Sequence, residues 1–190
     1  MQEKYGLRKI SLGDILREEV KKGTPLAGQL KSYMEKGLLV PDEVVAKVIE
    51  ASLDERDFLL DGYPRNLNQA KTLDEIFQRK KIEIDRVIYL EVSADCVVAR
   101  LSKRLVCKLC GANYHLINMP PKAAGICDAC GGALYQRKDD VPEVIRKRLE
   151  VFDSESRKVL DFYDKKGKLL TVDGSGNCDQ VFARIKAKFA

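Results

Sequence analysis

The sequence predicts an α/β fold with a mainly parallel sheet, on two observations. Short apolar runs alternate along the chain with amphipathic stretches of helical period. Gly, Pro and Asn fall between these segments, where turns and helix caps need them. One stretch, residues 107–136, breaks the alternation and carries paired Cys and the only His. With 190 residues the chain has room for one ordinary domain and a small insert. It is 45% hydrophobic and 33% charged, which is enough to bury a core and excludes wholesale disorder. The net charge of +5 suits an anionic ligand without marking a nucleic-acid binder. No apolar run is long enough to span a bilayer, and the first residues are polar. The expectation is a soluble cytoplasmic monomer with no membrane or nucleic-acid partner. In that compartment Cys reads better as metal ligand or free thiol than as disulfide.

Taken in order, Met1–Tyr5 reads as the end of a helix stopped at Gly6, and Arg8–Ile10 as a brief strand. Ser11 is placed to cap a helix to about Lys22, with Asp14 three places on and Gly23 as its stop. A polar helix follows over about Leu26–Lys36 and ends at Gly37. Pro41 suits the first turn of the next, whose buried stripe is Val44, Val45, Val48 and Ile49. Phe58–Leu60 reads as a buried strand leading into the Asp61-Gly62 loop. Asn66–Gln78 reads as a helix with Leu73, Ile76 and Phe77 inward. Arg86–Val92 is the clearest strand. Ala94–Val106 reads as a helix on the spacing of Val97, Val98, Leu101 and Leu105. A long helix over about Pro142–Tyr163 and a strand over Leu169–Val172 follow. Asn177 caps a last helix bearing Val181, Phe182, Ile185 and Phe189.

Cys107-x-x-Cys110 and Cys127-x-x-Cys130, with 16 residues between the pairs, match the spacing of a four-thiolate zinc site. Gly follows each pair and frees the tight backbone such an ion needs. Four thiolates close the coordination shell, so the metal would be structural. Cys96 and Cys178 read as packing or incidental thiols. Tyr114-His115 reads either as a surface pair that could stack on a flat ring or as a structural pair. Arg17, Arg65, Arg100, Arg104, Arg137, Arg146 and Arg148 lie near element ends or beside Gly. Several guanidiniums beside loops suggest phosphate clamping, since their forks match phosphate oxygens. Asp61 at a strand end reads either as a holder of hydrated Mg²⁺ or as a turn residue. Asp139-Asp140 reads as a salt-bridged hinge or a helix-terminal charge cluster.

Asp61-Gly62-Tyr63-Pro64-Arg65 with Gln69 resembles the nucleoside monophosphate kinase signature. Ser11-Leu12-Gly13-Asp14-Ile15-Leu16-Arg17 resembles the start of the AMP-binding helix of adenylate kinases. The run from Cys107 to Asp140 resembles their zinc-bearing lid. The resemblance covers essentially the whole chain. It implies a P-loop nucleoside monophosphate kinase-like sheet flanked by helices, with a zinc-knuckle lid. The core would take residues 1–103, its AMP-binding helices lying in 11–40. The lid would take 104–140, and the rest of the core 141–190.

The implied reaction is reversible phosphoryl transfer between Mg·ATP and AMP, giving two ADP. By position, Arg17, Arg65 and Arg148 hold the AMP phosphate, with Arg137 reaching it from the lid. Leu12, Leu38, Leu39, Val40, Gly62, Tyr63, Pro64 and Gln69 complete the AMP site. Arg104 and Arg137 approach the transferring phosphate, and Asp61 holds the Mg²⁺ waters. Arg100, Arg104, Asn113, Tyr114 and Gly176 frame ATP. Cys107, Cys110, Cys127 and Cys130 hold Zn²⁺.

Two departures from the family pattern stand out. Leu12 replaces a usual Thr beside the AMP base, which removes a hydroxyl contact. No G-x-x-x-x-G-K-[ST] occurs anywhere. The family's strand and Gly-rich loop that precede the Met1–Gly6 segment are expected to be absent, as in a fragment or a frame started at an internal Met. That strand lies between those at Phe58 and Val87, so the expectation is a gap in the sheet, marginal stability and little kinase activity. A non-catalytic AMP or nucleotide binder is the alternative, as is another base specificity. A zinc-ribbon nucleic-acid module is disfavoured, because the knuckle holds few basic residues.

Overall fold

The computed structural model describes residues 2–23, 25–54 and 57–189, with residues 2, 3, 25 and 26 described in backbone only. Met1, which the sequence assigns to the first helix, lies outside them. The elements are α1 (Gln2–Tyr5), β1 (Arg8–Ser11), α2 (Leu12–Lys21), α3 (Pro25–Glu35) and α4 (Asp42–Ser52), then β2 (Phe58–Asp61), α5 (Leu67–Lys80), β3 (Val87–Glu91) and α6 (Ala94–Leu101). The insert supplies β4 (Arg104–Cys107), β5 (Asn113–His115) and β6 (Leu134–Tyr135). A 3₁₀ turn at Lys138–Asp140 leads into α7 (Pro142–Val151), α8 (Arg157–Lys165), β7 (Leu169–Asp173) and α9 (Cys178–Ala187).

Parallel pairing is present, but in two ribbons rather than one sheet. β1 pairs with β2, from Arg8 opposite Phe58 to Ser11 opposite Asp61. β3 pairs with β7, from Val87 opposite Leu169 to Glu91 opposite Asp173. Among the described residues no strand joins β2 to β3. The space between them is a cavity of about 520 Å³, lined by Phe58, Leu60, Val87, Tyr89, Val97 and Leu149 among others. This explains why β2 and β3 are only half-buried although their sequences are apolar.

The main core lies under the first ribbon. Ile10, Leu16, Leu30, Val45, Ile49, Leu73 and Ile76 are all 5% exposed or less. The i, i+4 spacing of Val45 and Ile49 gives α4 one buried face, as the sequence predicts. A smaller cluster of Ala70, Val159 and Tyr163 joins α5 and α8 to the second ribbon. Cap chemistry sets several boundaries. The Asn66 side chain accepts from the Gln69 N–H, and Asn177 with Gln180 forms a full capping box. Ser11 occupies the N-cap of α2, but its side chain makes no capping bond.

One helix expectation is corrected and another refined. The helix read over Ala94–Val106 ends at Leu101, and Arg104–Cys107 is the central strand of a three-stranded antiparallel sheet in the order β5-β4-β6. Leu105 fits a helical stripe by spacing, yet Leu105 pairs with Tyr114 and Cys107 with Leu134. The long helix expected over Pro142–Tyr163 is present and runs on to Lys165, with a π segment at Phe152–Ser156 inside it, beside which the Phe152 ring stacks on Tyr89 with centroids 6.0 Å apart.

Candidate functional site

A cleft of about 420 Å³ opens between α2, the loop after α3, the end of β2 and the base of the insert. Guanidiniums from four separate segments reach it: Arg17 on α2, Arg65 before α5, Arg137 before the 3₁₀ turn and Arg148 on α7. Arg104 and Asn113 of the insert also line it, and so does Asp61. The opposite wall is apolar, formed by Leu12, Met34, Leu38, Leu39, Val40 and Val45, with Gln69 beside them.

Local sequence explains the placement. Gly62 has φ +79°, and a Cβ there would meet Arg65 Nη2 at 3.0 Å. Only glycine lets the chain turn after β2 while Arg65 folds back to donate from Nε to the Gly62 carbonyl at 2.7 Å. Gly37 has φ +68°, and a Cβ would lie 3.0 Å from Arg148 Cγ and 3.2 Å from the Val144 carbonyl. It lets the loop after α3 pack against α7.

Charge in the cleft is held under strain. Burial, followed by the neighbouring Arg148, pushes the Arg65 pKa down. Burial, then Arg17 and Arg104, does the same to Arg137. Among the described residues Arg137 Nε is buried with no hydrogen-bond partner. Like charges crowded in this way gain most when a dianion enters. Asp14 partly neutralises them, with Oδ1 2.6 Å from Arg17 Nη2 and 3.8 Å from Arg137 Nη2. Burial opposes its ionisation, but bonds from Arg17 and Ser11 outweigh that and hold its pKa below the usual carboxylate range.

Asp139 and Asp140 are salt-bridged, in the 3₁₀ turn just before α7. Asp140 is fully buried and accepts two bonds from Arg104, at 2.6 and 2.8 Å. Arg148 approaches Asp139 at 3.5 Å and Asp140 at 3.7 Å. One carboxylate thus fixes an arginine of the insert and one of the core.

The four insert cysteines converge, with all Sγ atoms within 4.8 Å of one another. Cys107 to Cys130 is 3.4 Å and Cys110 to Cys127 is 3.6 Å. A tetrahedral zinc with bonds of about 2.3 Å spaces its sulfurs by roughly 3.8 Å, so the set fits such an ion. Tyr114 is 8% exposed beneath them. Its Oη lies 3.5 Å from Cys127 Sγ and accepts from the Asp128 N–H at 2.8 Å. Having accepted that bond, the phenol has its proton free for the sulfur. Tyr114, foremost among the causes, brings the Cys127 thiol down to about 6. The neighbouring His115 Nδ1 accepts from Ile117 and Asn118 N–H groups. The pair is therefore structural in this respect, and Tyr114 faces the cysteines rather than the cleft.

Other sequence-nominated residues lie elsewhere. Tyr63 and Pro64 line the cavity between the ribbons. Tyr63 is buried and donates to the Gln69 carbonyl at 3.2 Å. Arg100 holds the loop after β7, donating to Gly174 at 3.0 Å and Gly176 at 2.8 Å. Asp61, by contrast, does line the cleft, where it is exposed and paired with Lys9 Nζ at 3.0 Å. Arg146 is exposed and does not line the cleft. Sequence reasoning did not nominate Met34, Val45 or Asp42 for the site. The helical stripe hints at Val45. Asp42, which accepts from Gln69 Nε2 at 2.8 Å, is announced only by its position at the start of α4.

Comparison with known proteins gives one consistent result. The adenylate kinase family model matches residues 1–168. The chain is 46% identical over 191 residues to an adenylate kinase of Methanocella arvoryzae, covering 98% of this chain and 88% of the relative. It is 47% identical to one of Archaeoglobus fulgidus, with the same coverage. A Geobacillus relative is 45% identical over 97% of this chain and 87% of its own length.

Proposed function

The chain belongs to the adenylate kinase family, and we propose that the arginine-lined cleft binds AMP as phosphoryl acceptor in a reversible transfer from Mg·ATP that gives two ADP. One observation carries the reading: five arginines from distant segments share a cleft with a wall of apolar side chains. The nucleophile is already a phosphate anion, so no general base is required. What the protein must supply is alignment, charge neutralisation and exclusion of water. Arg17, Arg65 and Arg148 hold the acceptor phosphate. Arg137, with its unpaired buried Nε, and Arg104 face the group in transit. Leu12, Leu38, Leu39 and Val40 sandwich the base while Gln69 meets its edge. Arg100, Asn113 and the loop at Gly176 lie on the donor side. Mg²⁺ arrives with ATP and supplies charge neutralisation of its phosphates; Asp61 would hold its waters. Zn²⁺ would be held by Cys107, Cys110, Cys127 and Cys130 and would stiffen the lid without entering the chemistry.

The sequence has no G-x-x-x-x-G-K-[ST]. On that basis we expect AMP binding to be retained and phosphoryl transfer by this chain to be weak. Calorimetry with AMP, alongside an assay of ADP formation from ATP and AMP, tests both parts. AMP heat with slow turnover supports the reading. Absence of AMP binding rejects it, and turnover near that of a relative carrying the Gly-rich loop rejects the weakness. A nucleotide binder without catalysis is favoured if AMP binds and no ADP forms.

A further inference from the structure

Gln69 is 1% exposed, lines the cleft and carries a side-chain amide whose orientation its neighbours dictate. Its Oε1 accepts from the Arg65 backbone N–H at 2.8 Å. Its Nε2 donates to Asp42 Oδ1 at 2.8 Å. A backbone N–H can only donate, and a carboxylate can only accept. Turning the amide over would set N–H against N–H and oxygen against carboxylate, two buried mismatches at once. Asp42 is itself pinned, because the same Oδ1 accepts from Asn66 Nδ2 at 2.9 Å. Asn66 in turn accepts from the Gln69 backbone N–H at 2.8 Å.

After these bonds the amide retains one N–H and one oxygen lone pair. The edge of a 6-aminopurine offers the complement: an amino donor for Oε1 and a ring-nitrogen acceptor for the N–H. A 6-oxopurine offers the reverse, a carbonyl acceptor and a ring N–H donor, and would need the amide turned over. We propose that Asp42, together with the Arg65 N–H, is the positioning element that makes this cleft prefer a 6-aminopurine monophosphate over a 6-oxopurine one. The inference rests on the cleft taking a nucleoside monophosphate. Leu12 contributes no hydroxyl to base selection, which leaves the Gln69 amide with the greater share.

The test is calorimetry with AMP, inosine monophosphate and ribose 5-phosphate on the native chain, Asp42→Ser and Asp42→Asn. The native chain is expected to prefer AMP over inosine monophosphate by roughly 100-fold, two mismatched buried groups at about tenfold each. Asp42→Ser should cut that ratio to about 10, the Arg65 N–H still imposing one mismatch. It should leave ribose 5-phosphate affinity unchanged, since that probe has no base. Asp42→Asn, which keeps an acceptor oxygen in place, should retain most of the preference. An unchanged ratio in Asp42→Ser overturns the proposal. So does parallel weakening of AMP and ribose 5-phosphate, which would mark Asp42 as merely structural. An Asn variant as relaxed as Ser overturns it too, by tying the effect to charge rather than to orientation.

If Asp42→Ser fails to fold, the side-chain amide resonances of Gln69 in the native chain decide. They should move with AMP and stay in place with ribose 5-phosphate; equal movement overturns the proposal. A native chain that binds ribose 5-phosphate without preferring AMP defeats this inference alone. One that binds neither AMP nor ribose 5-phosphate defeats the functional reading beneath it, and the inference with it.

Discussion

The cleft region and the insert order themselves by opposite means. Around the cleft, α2 to α5 close over a contiguous apolar core running from Ile10 to Phe77. The arginines are mounted on that scaffold. The insert has three buried residues at its centre, Cys107, Tyr114 and Cys127, and two of them are thiols. It also exposes Leu109, Leu116, Ile117 and Met119, each more than half accessible. The first region owes its shape to hydrophobic burial, which needs no ligand. The second is too small for that, and the sulfur cluster takes the place of a core.

Removing one of the four clustered cysteines should separate the two most sharply. Cys127→Ser is expected to weaken zinc binding by about a thousand-fold and to open the insert to protease between residues 107 and 136. Metal analysis and limited proteolysis would show this, while the fragment carrying α2 to α5 stays resistant. Loss of the whole chain's fold at the same step would abolish the distinction.

The reverse perturbation is Arg65→Ala. It removes a charge-assisted fork from the cleft and should weaken AMP by about 100-fold. Zinc content should not change. A calorimetric titration with parallel metal analysis checks both.

Tyr114→Phe sharpens the comparison within the insert. Deleting only the hydroxyl beside Cys127 should lower metal affinity by about 10-fold, the usual scale for groups behind a metal ligand. Chelator competition measures it, and cobalt substitution should shift the thiolate charge-transfer band. AMP binding should stay as it was.

The smallest effect is expected from Tyr63→Phe. Burial, then Asp42, pushes the Tyr63 phenol up to about 12. A phenol whose folded pKa exceeds its unfolded value stabilises the fold fully below about pH 10, and that stability fades as pH climbs toward 12. Melting curves from pH 8 to 12 should fall less steeply for the Phe variant. An unchanged slope would mean that the hydroxyl does not titrate within the fold.

Much of this was legible from the sequence, for identifiable reasons. Asp61-Gly62-Tyr63-Pro64-Arg65 and the two Cys-x-x-Cys pairs are local patterns whose chemistry fixes their spacing. The caps at Asn66 and Asn177 follow from adjacent residues. What escaped depends on partners distant in the chain. Leu105 reads as a helical position until Tyr114 is seen opposite it. That the Tyr114 hydroxyl lies against Cys127, 13 residues on, is likewise not announced by its neighbours. Asp42 gains its role only because the fold brings Gln69, 27 residues away, to its carboxylate. The π turn at Phe152–Ser156 has no Pro or Gly to announce it.

The division of the parallel strands into β1–β2 and β3–β7 affects what the protein can pair with. Each ribbon presents a rim of amide and carbonyl groups along β2 and β3, flanked by apolar side chains. Such rims are adhesive toward any extended polypeptide. A stretch of extended chain laid along either rim would therefore find backbone partners already waiting for it.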